Sequence, residues 1–279
     1  MTITPATIST ERPSTAVAAP KRRRQNPVLG LLAWVIGLLF VAPVLWMILT
    51  SLHGETDAAK NPPAFSAPLT LNSYANFFGA ATGASPWPPL INSATASIMS
   101  TIFVLALSIP AAYALSIRPV RKWTDVLFFF LSTKMLPAVA GLLPIYLIVQ
   151  KVGMLDNVYT LVILYTSMNL PIAVWMMRSF QLKMKQISDV AAMPGRMIGI
   201  AATSLICFIF SWNELLFARV LTGTVAQTAP VFLTGFVTSQ GLFLAKVCAA
   251  AFVVSLPVII AGFAAQDKLV QGLSLGAVK

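Results

Sequence analysis

Two ionisable residues stand inside otherwise apolar stretches of this chain, Lys134 in STKMLP (132–137) and Glu214 in FSWNELL (210–216). A charge at the centre of a bilayer costs about 2.5–3.5 kcal/mol on insertion scales, so such residues face a bundle interior, a partner or a water-filled path. At about 1.5 Å per residue, Lys134 lies roughly 14 Å into a helix begun near Asp125. It is either a donor lining a path for a polar solute or half of an ion pair with another subunit, and the residue alone leaves both open. Glu214 lies about 22 Å along its helix, where capping or helix packing competes with solute contact. Asn213 beside it adds an amide to the same candidate path, while Arg219 falls at the outer surface with its head in water.

Other chemistry finds no support. No Gly-rich loop ending in Gly-Lys-Ser/Thr is present, so the chain does not hydrolyse ATP by itself. The lone histidine, His53, lies at the outer end of the first apolar run, and no acidic pair stands at helical spacing within a run. Cys207 and Cys248 sit in apolar stretches without metal-ligand spacing and read as small hydrophobes. No catalytic residue, metal site or cofactor is expected.

The elements that must position these residues are set by composition. Hydrophobic residues make up 57% of the 279, only 10% are charged, and the mean hydropathy is +0.82. Soluble domains carry about 25% charged residues, so the chain reads as an all-α polytopic membrane protein. The net charge of +11 is spread in small groups between apolar runs, which suits a membrane surface and not nucleic acid. About 20 apolar residues span a bilayer as a helix. Six runs qualify: 28–51, 90–117, 125–149, 158–179, 198–221 and 246–266. Pro43, Pro110, Pro137, Pro144, Pro171 and Pro257 interrupt them. Residues 1–27 read as a disordered cytoplasmic tail.

Orientation follows from the basic residues. One side receives Lys21 to Arg24, Arg118, Arg121, Lys122, Lys183, Lys185, Arg196, Lys268 and Lys279; the other receives little beyond Lys60, Lys151 and Lys246. Both termini are therefore expected inside. The loops at about 52–89 and at 222–245 face out, the latter without any charge. Trp34, Trp46, Trp175 and Trp212 read as interface-belt or packing residues.

From about residue 28 onward the chain resembles the permease subunits of bacterial ABC importers for carbohydrates, the maltose-transporter type. The resemblance is carried by eight segments in order: APVLWMILTSL (42–52), LTLNSYANFF (69–78), INSATAS (91–97), SIPAAYALS (108–116), LPIYLIV (143–149), NLPIAVWMMRSF (169–180), FIFSWNELLFA (208–218) and QGLSLGAVK (271–279). STKMLPAVAGLLPIYL (132–147) resembles the subgroup that imports polyols such as sorbitol and mannitol. The resemblance implies a six-helix permease domain over 28–279. It implies half of a translocation path shared with a second homologous permease, two ATPase subunits that hydrolyse ATP, and an extracytoplasmic solute-binding protein. Such a chain would be multi-pass in the bacterial inner membrane.

In that family the loop between the fourth and fifth spans holds a Glu-Ala-Ala motif, a Gly and then Ile-x-Leu-Pro, forming a coupling helix that sits in a cleft of the ATPase. Here the loop is 180–196. Ala191 and Ala192 fill the Ala positions, Val190 stands for the Glu with Asp189 one place early, and Gly195 follows Pro194. If Pro194-Gly195 is the Pro-Gly that opens the family's fifth span, about 17–20 residues are missing; if Gly195 is the motif Gly, one residue is lost and Ile-x-Leu-Pro is still absent. Pro194 is expected to end a helix begun near Ser188. The expectation is a surviving fold with impaired ATPase coupling. The competing readings are a six-span secondary carrier or channel, and a membrane protein without transport.

Overall fold

A computed structural model of the protein describes residues 27–60, 66–79, 85–117, 120, 122–135, 137–184, 189–238 and 241–277; the side chains of 181–196, 237–242 and 267–277 are not included. Lys21 to Arg24, Arg118, Arg121, Lys185 and Lys279, and the side chains of Lys183, Arg196 and Lys268, therefore lie outside the described set, as does most of the 1–27 tail.

Apolar runs set the helices. They are α1 (Pro27–Ser51), α2 (Glu55–Ala58), α3 (Asn72–Phe78), α4 (Trp87–Ile117), α5 (Trp123–Met135), α6 (Ala138–Val152), α7 (Val158–Met184), α8 (Asp189–Trp212), α9 (Leu216–Leu221), α10 (Ala229–Thr234) and α11 (Leu244–Ala277). Among the described residues the one exception to helix is a two-residue antiparallel pair, β1 (Val237–Thr238) with β2 (Gly241–Leu242). The chain divides into two compact units, 1–44 and 45–279. Residues 27–44 of the first are helical and carry apolar side chains such as Leu32, Trp34, Leu39 and Phe40 on every side, as a membrane-spanning helix does.

In the second unit α4 lies along α7, both pack on α8, and α8 packs on α11. The seam is built of small residues: Ala96, Ser97, Ser100, Ser108 and Ala112 of α4, Ala173 of α7, and Ala202, Thr203 and Cys207 of α8 are all buried. Lipid tails are as apolar as leucine, so helices in a bilayer associate through close backbone approach, which small residues permit. One contact is extreme. A Cβ at Gly199 would stand 2.7 Å from the Phe180 ring, so glycine is required where α8 meets the end of α7. Arg178 lies over the Trp123 ring at 3.6 Å and donates from Nε to the Leu115 carbonyl at 3.3 Å, which joins the ends of α4 and α7 to the start of α5.

Four helical stretches are long and apolar enough to cross a membrane among the described residues: Pro27–Ser51, Trp87–Ser116, Val158–Phe180 and Leu244–Gln266. The run at 125–149 is not one rod. It is α5 and α6, bent by 87° from one another, and counted together they make a fifth span. The run at 198–221 also divides, into the apolar stretch Met197–Trp212 and the short α9.

The prolines mostly fail to interrupt. Pro43, Pro110, Pro144, Pro171 and Pro257 all lie within continuous helices, as lipid-embedded helices allow when neighbours satisfy the freed carbonyls. Pro137 differs: it caps α6 with ψ of 123°, outside the helical region. Pro194 does not end a helix either, because α8 begins at Asp189 and runs through it. At the sixth position of α8 it removes the backbone bond to the residue 190 carbonyl and crowds that carbonyl, yet the helix continues through it.

Trp212 is a packing residue and not part of an interfacial belt. It is buried, stacks near Phe208 at 5.7 Å between ring centroids, and donates from Nε1 to the Val254 carbonyl at 3.0 Å. That bond ties α8 to α11 just before Pro257. The Trp212→Phe variant keeps an aromatic ring and removes this hydrogen bond, so it should lose about 0.5–1.5 kcal/mol of stability. A thermal melt in detergent reads this as a lowered Tm; an unchanged Tm would show that the bond does not hold the two helices.

Candidate translocation site

The site begins with the break between α8 and α9. The chain leaves the helix at Asn213, and α9 starts again at Leu216 with new N–H groups to satisfy. Glu214 does this. Its carboxylate accepts from the Phe217 N–H at 2.9 Å, from the Ala218 N–H at 3.1 Å and from the Tyr165 hydroxyl of α7 at 3.1 Å. The capping role expected for Glu214 is what these bonds display, and Phe217 and Ala218 are buried as a result.

Below it a buried hydrogen-bond chain crosses three helices. Asn169 Nδ2 of α7 donates to Ser211 Oγ of α8 at 3.0 Å, Ser211 lies 3.0 Å from Ser100 Oγ of α4, and Ser100 donates to the Ser97 carbonyl at 3.1 Å. Either serine can donate across the Ser100–Ser211 contact, and in both cases the Ser211 oxygen holds the Asn169 amide.

These groups share a cavity of about 430 Å³ with Lys134. Its walls are Leu131 and Lys134 from α5, Tyr165, Met168, Asn169 and Ile172 from one face of α7, Phe210 and Ser211 from α8, and Glu214. A second cavity of about 560 Å³ lies at the α5–α6 break and includes Lys134, Pro137, Gly141 and Ser167. Lys134 is exposed in the last turn of α5, where the carbonyl end of the helix dipole favours a cation. It forms no ion pair among the described residues; the one pair there is Lys60 with Asp57, at 2.6 Å.

The structure thus brings Lys134 and Glu214 to one cavity and leaves Asn213 out. Asn213 donates to the Ile209 carbonyl and lines a different cavity of about 490 Å³, with Ser255 and Val258 of α11. Tyr165, Asn169 and Ser211 were not singled out from sequence; the polar Asn169 two residues before Pro171 in a long apolar run is the signal that marks such a position. Arg219 is exposed as expected and bonds the Thr234 hydroxyl at 2.9 Å. The backbone of Asp189, Val190, Ala191, Ala192 and Gly195 forms the first turns of α8, and their side chains lie outside the described set.

On the side of the α6–α7 turn, loops are held by the same kind of contact. Asp156 accepts from the N–H groups of Gly223, Val225 and Ala226 at 2.8, 3.1 and 2.8 Å. Burial raises its carboxyl, but the backbone N–H groups of Ala226, Val225, Gly223 and Thr224 outweigh this and hold it below the usual aspartate value. A Cβ at Gly223 would lie 2.9 Å from the Asp156 carboxylate, so the loop needs glycine there. Asn92 bonds the carbonyls of Val225 and Gln227, Ser93 receives the Ala229 N–H, and Glu55 receives the Ala245 and Lys246 N–H groups that open α11.

No protein-family model matches the chain. It is 37% identical to a probable ABC transporter permease of Sinorhizobium fredii, over 95% of this chain and 100% of that protein. The chain belongs to the ABC transporter permeases. It is therefore a multi-pass protein of the plasma membrane. It is also 29% identical to the permease DasC of a diacetylchitobiose uptake system in Streptomyces coelicolor, over 88% of this chain and 93% of that one. With SugB, the permease of a trehalose transport system in Mycobacterium tuberculosis, it shares 28% identity over 85% and 92%. In fold it is similar to a chain of a bacterial ABC transporter involved in import of the acidic polysaccharide alginate, with a TM-score of 0.64, 20% identity, and coverage of 89% of this chain and 99% of that chain.

Asp156 supplies a pH test of this permease. A carboxyl held low when folded contributes stability above its unfolded value of about 3.9, and loses it as pH falls through the folded value. Asp156→Asn should therefore lower Tm at pH 7, with the gap to the wild type closing as pH drops below about 4. A gap that is constant with pH would show that the charge on Asp156 is not what secures the loop.

Proposed function

We propose that this chain is the transmembrane subunit of an ATP-driven, binding-protein-dependent importer of a sugar or polyol. It forms half of the translocation path, with a second homologous permease, two ATPase subunits and an extracytoplasmic binding protein. The observation that carries this reading is kinship, over most of each chain, with permeases of diacetylchitobiose and trehalose transport systems. The broken helices support it: discontinuous helices around a cavity are how transporter bundles expose polar groups inside a membrane. Six spans with both termini cytoplasmic follow from the basic residues, with α5–α6 and α8–α9 each serving as one interrupted crossing. Segment 132–147 supports a polyol among the solutes.

Coupling runs through 180–196 and is weakened by its shortness. The match with the Sinorhizobium permease extends over 280 positions while covering 95% of a 279-residue chain, so some of its positions have no counterpart here. The match with DasC, over 262 positions and 88% of the chain, has the same excess. Phe180 pressed on Gly199 brackets the loop, leaving little chain between the fixed ends of α7 and α8.

The test is uptake of labelled trehalose, maltose, diacetylchitobiose and sorbitol into proteoliposomes holding the four-component complex. At least one should enter, only with hydrolysable ATP and binding protein. Saturable flux without ATP would make the chain a secondary carrier or channel. No flux, even with a full-length coupling segment inserted after Met193, would remove the transport reading.

A further inference from the structure

We infer that this subunit itself carries a contact site for the solute, the cavity between Lys134, Asn169 and Glu214, and that the site takes a neutral polyhydroxylated solute about the size of one sugar ring. The inference rests on the importer reading above and adds which chain touches the solute and with what groups.

Position comes first. Asn169 lies about 16 Å along α7 from Val158, near the middle of a bilayer core about 30 Å thick. The cavity is walled by residues from both broken crossings, Lys134 beside the α5–α6 break and Glu214 in the α8–α9 break. Its volume of about 430 Å³ falls in the range of about 300–1,000 Å³ typical of small-molecule sites.

The lining has the character of a sugar site. Apolar walls from Leu131, Met168, Ile172 and Phe210 suit the C–H faces of a ring, and a few polar groups stand at set points. Asn169 is 3% exposed and lines the cavity, with its Nδ2 held by Ser211. An amide oriented in a cavity wall keeps acceptor capacity at its oxygen, which is a place for a hydroxyl. Lys134 offers N–H donors with no carboxylate engaged, and Glu214 still has acceptor capacity beyond its three donors.

Charge decides the class. The cavity contains one basic and one acidic side chain, so an anion drawn to Lys134 meets Glu214, and a cation drawn to Glu214 meets Lys134. A neutral polyol satisfies both, accepting from the amine and donating to the carboxylate. Ser211 and Ser100 are positioning residues that act through Asn169.

The experiment measures uptake KM in proteoliposomes with the complete complex, for trehalose, maltose, diacetylchitobiose and sorbitol, and for glucuronate as an acidic probe of ring size. The wild type should take up a neutral solute and show no preference for glucuronate. Asn169→Ala and Lys134→Gln should each raise KM about tenfold, which corresponds to about 1.4 kcal/mol. Ser255→Ala, in the separate cavity beside Asn213, should leave KM where it was. Lys134 is exposed, so its variant tests the site even if Asn169→Ala does not assemble. If the wild type imports a neutral solute and Lys134→Gln leaves KM unchanged, the site in this subunit is wrong while the importer reading stands. A wild type that favours glucuronate overturns the neutral class. No uptake of any solute, even with a full-length coupling segment inserted after Met193, overturns the importer reading and this inference with it.

Discussion

A helix in lipid can begin only where its free N–H groups find an acceptor, and for α9 that acceptor is Glu214. The carboxylate stands at the point where α8 stops and α9 begins, and its bonds to Phe217, Ala218 and Tyr165 make the break possible. Without it the second crossing element would either continue as one rod or leave buried donors unpaired, at about 1–3 kcal/mol each. The break in turn opens the cavity, turns Phe217 into the core and leaves a carboxylate beside a polar path.

The same device recurs. The chain has eight acidic residues, and three of them, Glu55, Asp156 and Glu214, bind backbone N–H groups where a helix or loop starts. None of the three is paired to a lysine or arginine among the described residues. A carboxylate that receives backbone N–H groups is fixed in place by geometry, whereas an exposed ion pair holds weakly and varies with salt. The loops beside α6–α7, α9–α10 and the start of α11 are thus fastened to the helices.

Much of this was legible in the sequence. The length and purity of the apolar runs located α1, α4, α7 and α11, and eight ordered segments pointed to the permease family. Glu214 was readable as a cap because a carboxylate near a helix end in lipid has few other tasks. The breaks were harder, since hydropathy averages over a window and passes straight through 136–137 and 213–215. Pro137 looked like Pro110 or Pro171, but it caps a helix while they lie within one. Pro194 was misread in the opposite sense, for it sits within α8. Asn213 was grouped with Glu214 by adjacency, yet consecutive residues at a helix end diverge by about 100°, and Asn213 faces another cavity. Ser211 carries no charge and nothing in the sequence ranked it above other serines, while Asn169 was marked only by its place before Pro171 in an apolar run.

We propose that a permease of this fold drives import through a shortened segment at 180–196. It is tested most directly by binding-protein-stimulated ATP hydrolysis of the purified four-component complex, measured with the natural chain and with a full-length coupling segment inserted after Met193. The account predicts that the ATPase co-purifies with both, and that stimulation is weak with the natural chain and several-fold higher with the insertion. Equal stimulation in the two complexes would contradict it, because the short segment would then couple as well as the long one.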